Sequence, residues 1–588
     1  MNIAQRMSQK LEFIRRLELC PSILNLYVER YSLKFLLNDI FAGIKIFSLL
    51  FPIVFSLAFF SGGMPVQGII SCAVVAFIGA IFGGAKYRIA SVALPVCILA
   101  VDIFAKYQYK GMFYTALFVA LILILFGFLK ISNVLRHISH AFISALTTYV
   151  ILAIIVGQLQ YILGVNTVQS SQEILENFSL FNENLDNITK AGLLSAVIFL
   201  LPIILLKSFF KGFFPFFAYL VIGCAISYLF SVGLVPELFE IKTVGQEMIS
   251  GLSALDNMMT MSWTSPSQTF LANAINYAFV IALIIGCEAC FCTNVLTSMT
   301  GDNRLQTNAE LIASGIANVA SVACGGLFVS PNTSFSVKNI RFRAKTVIPL
   351  LVIAILCGVL IYYNDTVMRF LPLYCLSGIL LVYAVSELFN RQIKQYFNIK
   401  SQETYIFWIT LLLSIYFGFI SATIIGFAIS CVFFAERMVK IKDANVHSTR
   451  NHDSGAVEFL KNKQGFANSM DIPKAVLDKI EIIQVSNILL LNIAKIVEEA
   501  LIAQGKFPRI LIIYFNNVPY FDNEAFDSLK ELVQIAKSHN ATVMISGTNG
   551  ILLDILQQKA STEKYNDAFG YIVPNFKEAI KQTVNRLS

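Results

Sequence analysis

Apolar runs of membrane length, separated by short polar turns, fill the chain from residue 39 to residue 434. In order they are 39–60, 66–82, 89–105, 112–129, 141–163, 193–206 and 213–232. After an acidic stretch around Glu237, Glu240, Glu247 and Asp256 come 271–299, 310–324, a short segment after Ser334, 347–363, 367–388, 405–418 and 419–434. A helix needs about 20 apolar residues to cross the hydrocarbon, so the pattern predicts a polytopic α-helical membrane protein with fourteen spans. Two sets of seven are the layout of inverted repeats, here about 39–233 and 270–436. Each set contains an interruption that no continuous helix tolerates. In the second, Gly325, Gly326, Pro331 and the capping residues Asn332, Thr333 and Ser334 fall within ten positions. In the first, a turn from Gly83 to Arg88 precedes Pro95, and proline suits the first position of a helix. Irregular backbone survives at membrane depth only where protein covers it or where it lines a polar cavity. The reading is therefore two short helices, starting near Pro95 and near Asn332, Thr333 or Ser334, whose N-termini converge. Bare N–H groups and the positive dipole end make such a place an anion site.

Composition agrees with a protein mostly in lipid. Of 588 residues, 56% are hydrophobic and 14% charged, which leaves room for one soluble domain. The net charge of +8 lies in short loops, so it reports membrane orientation rather than nucleic acid. Counted from a cytosolic N-terminus, inside loops hold Lys86 and Arg88, Lys130 and Arg136, Lys207 and Lys211, Arg341 and Arg343, and Arg391 and Lys394. Outside loops hold Glu173, Glu176, Glu183 and Asp186, then Glu237 and Glu240. This bias places both termini in the cytoplasm of a cell (inner) membrane protein. The first thirty residues carry Arg6, Lys10, Arg15 and Arg16 without an apolar core, so no signal peptide is expected. Ten of the eleven cysteines lie in apolar runs and read as small packing residues; Cys287, Cys290 and Cys292 lack a nearby His and are not read as a metal site.

Glu288 stands out inside the run 271–299. An unpaired charge there costs roughly 2.5–3.5 kcal/mol on insertion scales, so something must compensate it. A carboxylate beside an anion site suits a coupling role, with Cys292 one turn later. A thiol makes a poorer sodium cage than oxygen ligands, which favours a proton as the coupling ion over sodium; a Glu288 protonated and bonded within the core stays open. Lys45 reads as snorkelling to the cytosolic face, Asp102 as a wet rim or helix-end residue, and Lys338 as a cytosolic-side anchor or a source of positive charge.

Several of these stretches together resemble the sulfate permease (SulP) family, also called solute carrier family 26. They are Gly286-Cys287-Glu288, Asn308-Ala309-Glu310-Leu311, Gly315-Ile316-Ala317-Asn318, Gly325-Gly326, Asn339-Ile340 and Lys345-Thr346, with Leu37 to Ile44, Phe51 to Ala58, Phe82-Gly83-Gly84 and the segment 134–164 in the first half. The resemblance implies a core domain bearing both half-helices, a gate domain, and an anion held near Leu94, Pro95, Val96, Thr333, Ser334, Phe335 and Ser336, with Ser56 on one wall. This chain departs from the family twice: Phe335 replaces the usual Arg, and Leu94-Pro95 replaces Gly-Pro.

After a polar linker, 437–473, residues 474–588 alternate β-rich runs (480–485, 509–515, 541–546, 572–573) with helical periodicity (490–504, 524–537, 551–558, 576–586). That pattern predicts a small α/β domain. The stretch Ile512 to Asp522 resembles the STAS domain that follows the membrane part of this same family. A Ser follows that Asp in phosphorylated antagonists of anti-sigma factors, whereas Asn523 stands here.

Residues 1–38 are thus expected as a cytosolic lead-in, 39–436 as the transporter and 474–588 as a cytosolic STAS domain, in a homodimer without cofactor. The expected activity is secondary transport of a small inorganic or organic anion of the sulfate, bicarbonate or dicarboxylate class by alternating access, not catalysis. Sodium coupling, a nucleobase carrier of the same fold and a transport-dead scaffold presenting the STAS domain are the alternatives.

Overall fold

Long helices dominate the computed structural model, which describes residues 33–162, 174–183, 200–207, 214–231, 244, 268–300, 306–398, 402–442, 446–448, 480–486, 509–516, 523–538, 541–546, 571–573, 578–579 and 581–583. The chain divides into two compact units, Met1–Cys431 and Val432–Ser588. The acidic stretch apart from Val244, residues 193–199 of the 193–206 span, residues 443–445 and 449–473 of the linker, and the segments 490–504 and 551–558 lie outside the described residues.

The first unit begins with α1 (Leu33–Phe60) and α2 (Pro65–Phe82), followed by strand β1 (Ala90–Val92) and a 3-10 turn at Leu94–Val96. The third and fourth expected spans then run on as α3 (Cys97–Phe128), broken at Gln108, whose φ of 55° and ψ of −158° are non-helical. The two spans meet at this kink instead of at a polar loop. Next come α4 (Ser132–Leu135), α5 (His140–Ile162), α6 (Ile174–Glu183), α7 (Phe214–Ser231), α8 (Gln268–Thr300) and α9 (Thr307–Ala323). Strand β2 (Val329–Pro331) leads into α10 (Thr333–Arg341), and α11 (Ile348–Tyr362), α12 (Asn364–Phe370), α13 (Leu373–Leu388), α14 (Arg391–Asn398), α15 (Gln402–Tyr416) and α16 (Phe419–Lys442) complete the helices of this part. The expected span 367–388 is divided because Pro372 takes the N-cap of α13 and Leu371 before it is extended, with ψ 111°. The proline ring disfavours helical backbone in the residue it follows.

Among the described residues six helices are long and apolar enough to cross a membrane, and four more are shorter and apolar. Many large apolar side chains remain exposed on them, among them Leu121, Ile355, Phe128 and Val432. In water that surface would be a liability; against lipid tails it is the expected exterior.

Several polar contacts tie the first half of this unit to the second. The Arg88 guanidinium and the Glu310 carboxylate form a buried ion pair, with Arg88 and Glu310 1% and 0% exposed. Glu310 also accepts from the Gly84 N–H at 3.2 Å, and the Gln306 N–H donates to the Gly84 carbonyl at 3.0 Å. Asp39, itself buried, accepts from the Lys345 N–H and the Thr346 hydroxyl, each at 2.6 Å. The Asn339 amide donates to the Tyr87 carbonyl at 3.1 Å.

In the second unit five strands make one sheet in the order β3 (Val446–Ser448), β4 (Ile480–Ser486), β5 (Ile510–Asn516), β6 (Thr542–Ser546), β7 (Tyr571–Val573). β3 is antiparallel to β4, and the remaining neighbours are parallel. Helix α17 (Asn523–Ser538) connects β5 to β6, as a parallel pair requires. Ile510 to Ile513 and Val543 to Ile545 are buried, as are Leu529, Leu532, Val533 and Ala536 of α17, so apolar faces of helix and sheet both leave solvent.

Candidate functional site

Glu288 sits within α8, whose apolar run makes a 33-residue helix. Its carboxylate accepts a hydrogen bond from the Ser330 hydroxyl. Ser330 is held in turn by a two-strand ribbon, in which β1 and β2 pair antiparallel with Ala90 opposite Pro331, Ser91 opposite Ser330 and Val92 opposite Val329. This ribbon is what the Gly- and Pro-rich interruptions build.

The irregular backbone around it finds partners side chain by side chain. Asn318 clasps Val329 at both ends, accepting from its N–H and donating to its carbonyl, each at 2.9 Å. The Ser321 hydroxyl donates to the Leu327 carbonyl at 2.7 Å, and the Leu327 N–H donates to the Ser71 hydroxyl at 2.7 Å. Gly325 has φ 91°, a conformation that side chains with a Cβ adopt at a cost. Replacing Asn318 by Ala strands the N–H and the carbonyl of buried Val329. At roughly 1–3 kcal/mol for each unsatisfied group, the variant is expected to melt well below the wild type in a thermal scan in detergent.

Both strands deliver the chain to a helix start. The Ala93 N–H donates to the Phe328 carbonyl at 3.1 Å, and Leu94, Pro95 and Val96 then begin the turn that becomes α3. Asn332 caps α10, its side chain accepting from the Phe335 N–H at 3.1 Å, so the helix itself starts at Thr333.

A cavity of about 90 Å³ lies between these two starts. One part of its wall is Leu94, Pro95, Glu288, Phe291 and the run Ser330 to Ser334; the other is His140, Ile143, Ser144 and Thr147 of α5, Tyr383 and Glu387 of α13, and Asn390 and Ile393. Of the residues singled out in the sequence, Leu94, Pro95, Thr333, Ser334 and Glu288 share this wall. Ser56, Val96, Phe335, Ser336 and Cys292 do not line it. The Ser56 hydroxyl donates back to the Pro52 carbonyl at 2.9 Å. Ser336 accepts from the Ile89 N–H at 2.8 Å and lies 3.5 Å from the Cys292 sulfur, which packs near Ala85, Tyr87 and Leu296. Phe335 and Val96 are buried.

The three other tempting charges are placed too. Lys45 lies over the Phe342 ring and Lys338 over the Phe335 ring, 5.5 Å and 5.2 Å from the centroids. Asp102 is buried instead of standing at a wet rim, and accepts from the Tyr277 hydroxyl and from Lys106.

Sequence reasoning passed over His140, Ser144 and Thr147. A signal was present: in an apolar span these polar residues recur at intervals of four and three, one face of a helix. Tyr383, Glu387 and Asn390 recur at the same intervals of four and three, so the same signal was present there.

A long-helix membrane unit, broken twice at a shared polar cavity with a carboxylate on its wall, defines a multi-pass helical membrane transporter fold. The sequence model of the sulfate permease family matches residues 36–410. The chain therefore belongs to the sulfate permease family. It is 24% identical over 547 residues to sulfate transporter 4.1, chloroplastic, of Arabidopsis thaliana, covering 87% of this chain and 75% of that protein. It is 22% identical over 534 residues to the bicarbonate transporter BicA of a Picosynechococcus species, covering 87% of this chain and 89% of the other. The solved structure of SLC26A9 superposes with a TM-score of 0.61 at 17% identity, over 99% of this chain and 94% of that one.

Proposed function

We propose that this protein carries a small anion of the sulfate, bicarbonate or dicarboxylate class across the membrane by alternating access, with a proton as the coupling ion. One observation carries the reading: the starts of α3 and α10 and the carboxylate of Glu288 border a single cavity. Helix starts favour negative solutes, and relatives of this chain are named transporters of sulfate and of bicarbonate.

Glu288 is the proposed coupling residue. Protonated, it is neutral and admits an anion; ionised, it opposes one, so anion and proton travel together. The two-part wall supports motion of a core bearing both ribbon strands and half-helices against a gate of α5, α13 and α14. Fourteen spans in two inverted repeats, both termini in the cytoplasm of the inner membrane, and a homodimer belong to the same reading. Residues 474–588 are proposed as a cytosolic STAS domain, on the support of the parallel run β4 to β7 and the connecting helix α17.

Uptake of labelled sulfate, bicarbonate and oxalate into proteoliposomes tests this. Accumulation driven by an inward proton gradient is expected for the wild type and is expected to vanish in Glu288→Gln, which keeps the shape and loses the titration. Equal accumulation by the two proteins removes Glu288 from coupling. No flux of any of the three removes transport.

A further inference from the structure

We propose that His140 is the gate-side contact for the transported anion and supplies the positive charge that the rest of the cavity lacks. This rests on the reading of the cavity as an anion site. The wall carries two carboxylates, Glu288 from α8 and Glu387 from α13, and no Lys or Arg is among the residues lining it. Against two carboxylates, the helix starts oppose only partial charges. At the first turn of α10, where the family resemblance leads one to expect an Arg, Phe335 is buried, and Lys338 lies over its ring rather than on the wall. Among the described lining residues His140 alone can become a cation.

Its ring is held for that task. Nδ1 lies 3.0 Å from the Ser144 hydroxyl and 3.2 Å from the Tyr396 hydroxyl. One ring face stacks on Phe291, with centroids 3.7 Å apart, and Phe291 is one turn beyond Glu288 on α8. Among the described residues no partner engages Nε2, so that edge is left for a ligand. The charged and titratable groups around the ring are Glu288 and Cys287 of α8, Tyr383 and Glu387 of α13, Tyr396 of α14, and Arg136 just before α5; Arg136 and Cys287 border a second, smaller cavity that His140 shares. As imidazolium, His140 donates an N–H and a full charge to the anion; on losing its proton it keeps neither the charge nor the strength of that bond. Anion affinity is then expected to rise as pH falls.

The test measures KM and kcat for labelled sulfate and labelled oxalate, both dianions across the range, in full-length protein in proteoliposomes at pH of about 5.5 and about 8. The wild-type KM is expected to be at least about tenfold lower at the acid value, one charge-assisted contact at His140 adding to the neutralisation of Glu288. His140→Gln is expected to raise the acid KM about tenfold and make its pH profile shallower with kcat little changed, whereas His140→Arg is expected to keep the KM at about pH 8 well below the wild-type value. Because ionised Glu288 opposes the anion as well, the comparison is repeated in downhill exchange in a Glu288→Gln background, where the KM slope that remains is expected to be lost on adding His140→Gln. A wild-type KM indifferent to pH, or His140→Gln with the wild-type KM and profile, overturns the proposal while leaving transport standing. If His140→Gln does not fold, the KM profile of Glu288→Gln decides, a flat one overturning it. Absence of flux in the wild type overturns the transport reading, and this inference with it.

Discussion

Replacing Glu310 by Ala is expected to cost the folded protein about 3–5 kcal/mol, the usual penalty for removing one partner of a buried ion pair. The loss leaves the Arg88 guanidinium 1% exposed and without its carboxylate, far from water. The Gly84 N–H, which Glu310 also accepts, is stranded at the same time. Most of the variant is expected as aggregate by size exclusion in detergent. The double variant Arg88→Met with Glu310→Met tests the cause, since replacing both charges by apolar side chains of similar length is often neutral or stabilising. Recovery of a monodisperse peak in the double variant marks the lone charge as the fault. Equal loss in single and double variants means that the pair's shape and its bond to Gly84, rather than its charge, hold the joint.

Gly84→Ala is expected to be comparably harmful by a different route. A Cβ there would lie 2.0 Å from the Gln306 carbonyl oxygen and 3.0 Å from the Glu310 N–H nitrogen, both backbone atoms that cannot swing aside. Overpacking typically costs about 1–3 kcal/mol and more where the neighbour is rigid, so the melting temperature should fall sharply. Gly358→Ala is the matched control. It sits in α11 with nothing within 4 Å of the added carbon, and there alanine's better helix propensity predicts a gain of roughly 1 kcal/mol in helix stability. If both alanines behave alike, the close approach of residues 84 and 306 is not what holds this joint together.

Both predictions concern a contact that the chain's linear order hides. Arg88 reads as an inside-loop charge and Glu310 as the first residue of a span, whereas in the fold both are buried and Glu310 lies in the first turn of α9, which starts at Thr307. Their pairing across 222 positions depends on how the halves pack. Asp39 is similar: from sequence it marks the entry to the first span, whereas in the fold it caps the turn at Lys345 and Thr346. The family motifs thereby acquire physical content. Asn318 holds Val329, Asn339 holds Tyr87, and Gly326 leaves room for the side chains of Ser321 and Ser71, whose hydroxyls a Cβ would approach to 2.6 Å and 2.7 Å.

The site divides the same way. Gly and Pro at membrane depth announced two broken helices, because backbone chemistry forbids a continuous one, and the capping residues 332–334 marked where the second resumes. Those features led to Pro95, Thr333, Ser334 and Glu288, which the cavity brings together. Ser336 and Cys292 were grouped with them by sequence neighbourhood, but two residues on from Ser334 a helix presents another side, and four on from Glu288 it presents the same side one turn further along, so these two meet each other in the packed interior.

By itself the sequence determined which segments are apolar enough for lipid, the two Gly- and Pro-marked places where a helix must stop, and the alternation of strand and helix near the carboxyl end. These follow from hydrophobicity, from missing N–H groups and from period, all properties of consecutive residues. Only the tertiary structure decided that Arg88 meets Glu310, that two strands cross ahead of the two helix starts, and that His140 stands opposite them. Such contacts join positions tens or hundreds of residues apart, and no local preference encodes which distant partner a side chain will find.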